Sequence, residues 1–155
     1  MWVDDDTPTR FRYERRLLAR QGWNVLWAED IDSARALLAT ESFDALIVDQ
    51  SLPFLKGQTA TGIQGGYQLL HWIRKGVLPD SYDLPQPNPP AAVQPPLPIN
   101  KICPVLFISA FYDSSLHAKL RELSEVDQEI EIVAKPLDPN DLLRFLSRVE
   151  VNHAA

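Results

Sequence analysis

The chain has 155 residues, of which 45% are hydrophobic and 23% are charged, a composition typical of one soluble globular domain with a substantial core. Its 15 basic and 21 acidic residues give a net charge of −6, which disfavours direct binding to nucleic acid or to an anionic membrane. No stretch is apolar for long enough to span a bilayer, and the N-terminus lacks the pattern of a signal peptide. The single cysteine, Cys103, cannot form an internal disulfide. We therefore expect a cytoplasmic protein.

Hydrophobic patterning predicts five strands that alternate with five helices. We expect strands at residues 1–3, 23–28, 45–48, 105–108 and 130–134, and helices at residues 8–21, 32–40, 66–74, 116–123 and 138–149. The runs at 45–48 and 105–108 are continuously apolar, which is typical of parallel strands buried on both faces. The alternation favours an α/β fold in which one doubly wound, five-stranded parallel sheet lies between two layers of helices.

Two stretches do not fit this alternation. Residues 57–66 contain four of the six glycines and predict a flexible loop after the third strand. Residues 79–98 contain eight of the thirteen prolines and predict an extended surface segment that is neither helix nor interior strand. Both stretches flank the third helix, which suggests a partner surface or a flap beside the site. No repeat or second domain is evident, so we predict one domain at residues 1–150 and a tail at residues 151–155.

Polar residues follow four of the predicted strands at their carboxyl ends, where open parallel sheets bind ligands. The acidic run at residues 4–6 follows the first strand, Asp49 ends the third, Ser109 ends the fourth, and Lys135 ends the fifth. Taken singly, each has a structural interpretation: a helix cap for residues 4–6, a turn before Pro53 for Asp49, a loop hydrogen bond for Ser109, and a surface charge for Lys135. Their joint placement favours a functional site.

Several carboxylates at one edge of a sheet predict a site for a hard divalent cation. Mg²⁺ takes oxygen ligands and keeps part of its water shell, which suits Asp4, Asp5 and Asp49. A carboxylate oxygen can also attack a phosphoryl group, and we predict Asp49 as that acceptor. The charge on the phosphoryl oxygens needs further donors, which the Lys135 ammonium and the Ser109 hydroxyl can supply. The three histidines lack metal-ligand spacing and are predicted to be surface or hydrogen-bonded residues.

In these motifs the chain resembles the receiver domain of two-component response regulators. The matching segments are residues 3–6, 22–28, 46–53, 104–110 and 134–137. The resemblance implies the flavodoxin-like fold of the chemotaxis regulators, with strand order 2-1-3-4-5. It also implies a signalling domain rather than an enzyme, which accepts a phosphoryl group on Asp49 from a histidine kinase or histidine phosphotransfer protein and loses it slowly.

The resemblance further implies roles for the neighbouring residues. Asp5 becomes the direct Mg²⁺ ligand beside Asp4 and Asp49, and Ser51 adds its backbone carbonyl. Ser109 moves onto the phosphoryl group, and Lys135 pairs with it. A downstream partner binds the fourth helix, the fifth strand and the fifth helix, and a homodimer is left open.

The chain departs from this family in its short first strand, which suggests a clipped start, and in Ile132, where an aromatic residue often moves with the hydroxyl. Two alternatives follow. One is a phosphorylation-independent pseudo-receiver that acts only through its surface. The other is a phosphatase of the haloacid dehalogenase type with Asp4 as nucleophile, although after Lys135 the chain offers only Asp138 and Asp141 as an acidic pair.

Overall fold

The computed structural model describes residues 1–6, 10–55, 65–79, 94–110, 113–124 and 130–154. In chain order the elements are β1 (Trp2–Val3), α1 (Arg12–Arg20), β2 (Trp27–Ala28), α2 (Ile31–Thr40), β3 (Leu46–Asp49), α3 (Gly65–Lys75), a 3-10 helix (Pro98–Ile102), β4 (Val105–Ser109), α4 (Ser114–Leu123), β5 (Ile130–Ala134) and α5 (Pro139–Ala154). The strands form one parallel sheet in the order β2-β1-β3-β4-β5. This confirms the predicted fold class and strand order.

The sheet is buried between two layers of helices. Every residue of β3 and β4 is buried, as their continuous apolar runs predict. Because side chains alternate along a strand, Val48 and Phe107 enter a core cluster covered by α2, α3 and α4, whereas Ile47 and Ile108 enter a second cluster covered by α1 and α5. Within the described part of the chain, no helix is long and apolar enough to cross a membrane.

The elements differ from prediction mainly at their ends. β2 is shorter than the predicted residues 23–28, because its partner β1 offers only Trp2 and Val3 for pairing. α1 begins at Arg12 rather than at residue 8, and residues 7–9 lie outside the described part. α5 continues to Ala154, beyond the predicted end at residue 149. The division into one domain with a tail stays a prediction.

The predicted glycine-rich loop ends two residues early, because Gly65 and Gly66 are the first residues of α3. Residues 57–64 lie outside the described part of the chain. A Cβ on Gly66 would lie 2.1 Å from the Asp49 carbonyl oxygen and 2.9 Å from the Phe107 ring, and a Cβ on Gly65 would lie 2.1 Å from the Leu52 carbonyl oxygen. Glycine is required here because the helix begins in direct contact with the backbone at the end of β3.

Asn100 ties the chain before β4 to the end of α2. Its side chain is fully buried. Its amide group donates to the carbonyl oxygens of Leu38 at 2.8 Å and Glu41 at 2.7 Å, and its Oδ1 accepts the N–H of Phe43 at 3.0 Å. The N–H of Leu97 also donates to the Leu38 carbonyl, at 2.9 Å. These hydrogen bonds fix the position of the chain just before β4 against the end of α2.

We expect Asn100→Ala to lower the free energy of unfolding by about 2 kcal/mol, because it leaves the Phe43 N–H and the Glu41 carbonyl without this partner. Urea denaturation measures the loss. Asn24→Ala, at an exposed asparagine, is the control and should change stability by less than about 0.5 kcal/mol. Equal losses in both variants would contradict the assigned role.

The predicted proline-rich segment at 79–98 is described only at its ends, since residues 80–93 lie outside the described part. Pro98 begins the 3-10 helix, which corrects the expectation of an extended segment for this residue alone; proline suits a first helical position because no N–H is needed there. Arg74, near the end of α3, donates to the Cys103 carbonyl at 2.8 Å. Both ends therefore lie where β3 and β4 begin, at the edge opposite Asp49. The suggestion of a flap or partner surface concerns residues outside the described part and stays a prediction.

Cys103 is a buried free cysteine. Burial raises the pKa of its thiol to about 12, so the side chain stays protonated at neutral pH. Its Sγ lies 3.2 Å from the Phe43 carbonyl oxygen, to which it donates. The ring of His71 likewise has a partner, with Nδ1 2.8 Å from the Val77 carbonyl oxygen.

Candidate functional site

Asp49 and Lys135 form an ion pair at the carboxyl edge of the sheet. Asp49 is the last residue of β3, and Lys135 directly follows β5, which is paired with β4 up to Ser109. Lys135 Nζ lies 2.8 Å from Asp49 Oδ1, and the side chains are 23% and 1% exposed, respectively. The N–H of Ser51 donates to Asp49 Oδ2 at 3.3 Å. The fold thus brings together two residues that the sequence predicted for one site.

Three carboxylates meet beside this ion pair. Carboxylate oxygens of Asp4, Asp5 and Asp49 all lie within 4.8 Å of one another; Asp4 and Asp49 are buried and Asp5 is exposed. Asp4 Oδ1 accepts the N–H of Asp6 at 2.9 Å. Among the described residues, the buried Asp4 Oδ2 has no hydrogen-bond partner. Asp6 forms an ion pair with Arg10 instead of joining the cluster.

The buried carboxyl groups hold their protons more tightly than usual. Burial, and then the charge of Asp49, raises the pKa of Asp4 to about 7. Burial likewise raises the pKa of Asp49, although Lys135 opposes this shift. Burial lowers the pKa of Lys135, but the hydrogen bond and charge of Asp49 outweigh it and leave the pKa above its ordinary value. One ammonium group therefore does not balance the carboxylates, and the cluster has the electrostatics of a cation site.

The donor set fits Mg²⁺. All three groups offer carboxylate oxygens, and Mg²⁺ in proteins is held by a few such oxygens while it keeps several waters. Asp4 Oδ2, which lacks a hydrogen bond among the described residues, is a ready ligand. The exposed side chain of Asp5 opens the cluster to solvent. The carbonyl of Ser51 as a further ligand stays a prediction.

Ser109 ends β4 at the same edge, and its side chain is 4% exposed. Its hydroxyl donates to Oε1 of Gln50. Its carbonyl accepts the N–H of Lys135 at 2.8 Å, which links the ends of β4 and β5. Ser109 is thus placed beside the end of β3, and its hydroxyl is hydrogen-bonded to the residue that follows Asp49.

Gln50 is a site residue that sequence reasoning did not select. It is 1% exposed, and its N–H donates to the Ile108 carbonyl while its carbonyl accepts the N–H of Gly66, both at 2.9 Å. A signal was available, since an amide side chain directly follows an apolar strand that ends in an acidic residue. A buried amide at such a point needs a polar partner, and Ser109 provides one.

A search of protein-family models and a search of curated proteins both gave no match. Solved structures do match. The receiver domain of Francisella response regulator 1452 is 18% identical, with a TM-score of 0.63, 97% of this chain covered and 95% of that one. Chemotaxis protein CheY4 of Vibrio cholerae is 20% identical, with a TM-score of 0.63 and coverages of 96% and 94%.

The receiver domain of a sensor histidine kinase from Pseudomonas aeruginosa PAO1 is 18% identical, with a TM-score of 0.60 and coverages of 95% and 93%. That structure is described with a magnesium ion coordinated in its active-site cleft. These similarities span nearly the whole chain at low sequence identity. They show that the chain has the fold of response-regulator receiver domains.

Proposed function

We propose that this protein is a receiver domain of a two-component phosphorelay and that it is phosphorylated on Asp49. The observation that carries the proposal is the meeting of Asp49 with an acidic pair and with Lys135 at one edge of the sheet. The receiver fold supports it, because the matched structures are receiver domains. The proposed role places the protein in the cytoplasm, without a nucleic-acid or membrane ligand of its own.

In the proposed step, a carboxylate oxygen of Asp49 attacks the phosphorus atom of a phosphohistidine on a histidine kinase or histidine phosphotransfer protein. A P–O bond forms, the P–N bond breaks, and the imidazole leaves with the bonding electrons and takes up a proton. The Lys135 ammonium, already within reach of Asp49, pairs with a phosphoryl oxygen. The Ser109 hydroxyl supplies a further hydrogen bond to the phosphoryl group.

Asp4 and Asp5, together with Asp49, would hold Mg²⁺, and the Ser51 carbonyl is the proposed additional ligand. When bound, the ion offsets the negative charge that gathers on the phosphoryl oxygens during transfer. Asp4 would bind the ion from a buried position, so its carboxylate oxygen is already held in place before the ion binds. Asp5 contributes from the solvent side.

We propose that a downstream protein binds the face formed by α4, β5 and α5, and that a second copy of the chain is a further candidate for this face. Here Glu131 of β5 forms ion pairs with Arg144 and Arg148 of α5. Ile132, at the position where receivers often carry an aromatic residue, is half-buried. The protein then acts as a phosphoacceptor that hydrolyses its own acyl phosphate slowly, not as an enzyme with a separate substrate.

The phosphatase alternative receives no support from the acidic residues after Lys135. Asp138 Oδ1 accepts the N–H of Asn140 at 2.8 Å at the start of α5. Asp141 Oδ1 lies 2.8 Å from Arg144 Nη1. Both carboxylates therefore have local structural partners at the start of α5.

Incubation with Mg²⁺ and acetyl phosphate tests the proposal. We expect an intact-mass increase of one phosphoryl group, located on Asp49 by peptide mapping and absent from Asp49→Asn. Asp32→Asn, at an exposed position of α2, is the control and should be labelled like the wild type.

The other outcomes separate the alternatives. Continuous release of phosphate that depends on Asp4 and persists in Asp49→Asn would favour the phosphatase. Absence of any label, together with no beryllofluoride adduct by fluorine NMR, would contradict both phosphoryl-transfer functions and leave the pseudo-receiver.

A further inference from the structure

Gln50 makes a contact that phosphoryl transfer would have to break. Its Oε1 accepts the hydroxyl hydrogen of Ser109, the group that the proposed function directs toward the phosphoryl oxygens. A hydroxyl has one hydrogen, so Ser109 cannot donate to Gln50 and to a phosphoryl oxygen at the same time. The hydrogen bond to Gln50 therefore competes with the phosphorylated state.

The backbone holds Gln50 firmly in this position. Its N–H is bonded to the Ile108 carbonyl and its carbonyl to the N–H of Gly66, each at 2.9 Å. Close packing at Gly66 leaves no room for the first turn of α3 to approach further. Since the Gln50 main chain is fixed on both sides, its side chain and the Ser109 side chain are the parts that can move.

The buried environment of the Gln50 amide makes loss of its hydrogen bond to Ser109 energetically costly. The side chain is 1% exposed, and among the described residues its Nε2 has no hydrogen-bond partner. Burial of an amide is unfavourable when only one of its two polar groups is hydrogen-bonded. It becomes more unfavourable when neither group is hydrogen-bonded. Departure of the Ser109 hydroxyl would remove the partner of Oε1 as well.

We propose that Gln50 is a positioning residue that holds the Ser109 hydroxyl in the unphosphorylated arrangement and so weakens the response to phosphorylation. This inference rests on the proposed phosphorylation of Asp49. Gln50 acts through Ser109, and the proposal requires no contact between Gln50 and the phosphoryl group. Removing the Gln50 acceptor should therefore favour the phosphorylated arrangement, but only while Ser109 carries its hydroxyl.

The test is a double-substitution cycle with beryllofluoride, a stable analogue of the phosphoryl group, and Mg²⁺. Gln50→Met keeps the length of the side chain and removes the acceptor. We expect it to bind beryllofluoride about fivefold more tightly than the wild type, the effect of one net hydrogen bond on an equilibrium. In a Ser109→Ala background the same substitution should leave the affinity unchanged. Gln68→Met, at a buried glutamine of α3, is the matched control.

A purely structural role for Gln50 would change the affinity equally in both backgrounds, and that result would overturn the inference. Gln50→Asn serves as a second variant, because it keeps an amide but shortens the side chain by one methylene and withdraws the acceptor. Normal binding by the wild type with no gain in either Gln50 variant overturns the inference alone. No beryllofluoride adduct on the wild type overturns the proposed function and the inference with it.

Discussion

Asp4→Asn should stabilise the metal-free protein at neutral and alkaline pH. Asp4 is fully buried, and its pKa is raised from 3.8 to about 7, which corresponds to a cost of about 4 kcal/mol when the group is ionised in the folded state. Asparagine removes the charge, while its Oδ1 can still accept the N–H of Asp6. We therefore expect the free energy of unfolding to rise by up to about 4 kcal/mol in a chelating buffer.

The sign of the pH dependence follows from the raised pKa. Below about pH 4, Asp4 is protonated in both the folded and the unfolded state, so wild type and variant should be equally stable. As the pH rises toward about 7, the unfolded state loses its proton first and the wild type loses stability relative to the variant. Urea denaturation from about pH 4 to about pH 8 measures this difference.

Asp5→Asn is the matched control, since it removes a charge from the same cluster at an exposed position. Its effect should stay below about 1 kcal/mol. A gain for Asp4→Asn that does not vary with pH would contradict the assignment.

Mg²⁺ should narrow this difference in stability between Asp4→Asn and the wild type. At a concentration 100 times its Kd, the ion adds about 2.7 kcal/mol to a protein that binds it only when folded. The wild type gains this stability, whereas Asp4→Asn has lost a ligand and gains less. Trp27 offers a direct readout, because its indole N–H donates to the Asp4 carbonyl at 3.3 Å and its fluorescence should respond to binding.

Gly66→Ala should lower the free energy of unfolding by about 3 kcal/mol. The added Cβ would lie 2.1 Å from the Asp49 carbonyl oxygen and 2.9 Å from the Phe107 ring, so the start of α3 or the end of β3 has to move. The gain in helix propensity of up to about 1 kcal/mol is smaller than this clash. Because the displaced backbone carries Asp49, labelling by acetyl phosphate should also slow by about tenfold or more.

Gly76→Ala separates crowding from the general cost of replacing a glycine. Gly76 has a φ of +77° but open space around its Cβ position, so the substitution should cost only about 1 kcal/mol of backbone strain. It lies at the far end of α3 and should leave labelling of Asp49 unchanged. Equal labelling defects in both variants would contradict the role given to the contact at Gly66.

The sheet could be predicted because its signal is local. Continuous apolar runs at β3 and β4 indicate strands buried on both faces, and the alternation with helical patterns leaves few arrangements. The strand order came from the resemblance. The short β2 was not predicted, because its length depends on pairing with Trp2 and Val3 and not on its own β-forming residues. The 3-10 helix at Pro98 likewise depends on tertiary anchoring by Asn100.

The location of the candidate residues was predictable because each follows an apolar run and the carboxyl ends of parallel strands meet at one edge of the sheet. Asp4, Asp5, Asp49, Ser109 and Lys135 all lie at the expected edge. The sequence does not reveal that Asp4 is buried while Asp5 is exposed. Burial is the main cause of the raised pKa of Asp4. The pairing of Gln50 with Ser109 also depends on two strands meeting in register.

Asp49 lies at one edge of the sheet, and the described residues that border 80–93 lie at the opposite edge. This separation is useful for protein engineering. Arg74 and Asn100 fasten the flanking chain on either side of that stretch. Each doubling of loop length costs only about 0.6 kcal/mol in closure entropy. Residues 79 and 94, which border that stretch, are therefore held at the edge remote from the acidic cluster, and an inserted affinity tag, fluorophore or reporter protein would join the described chain at these two points.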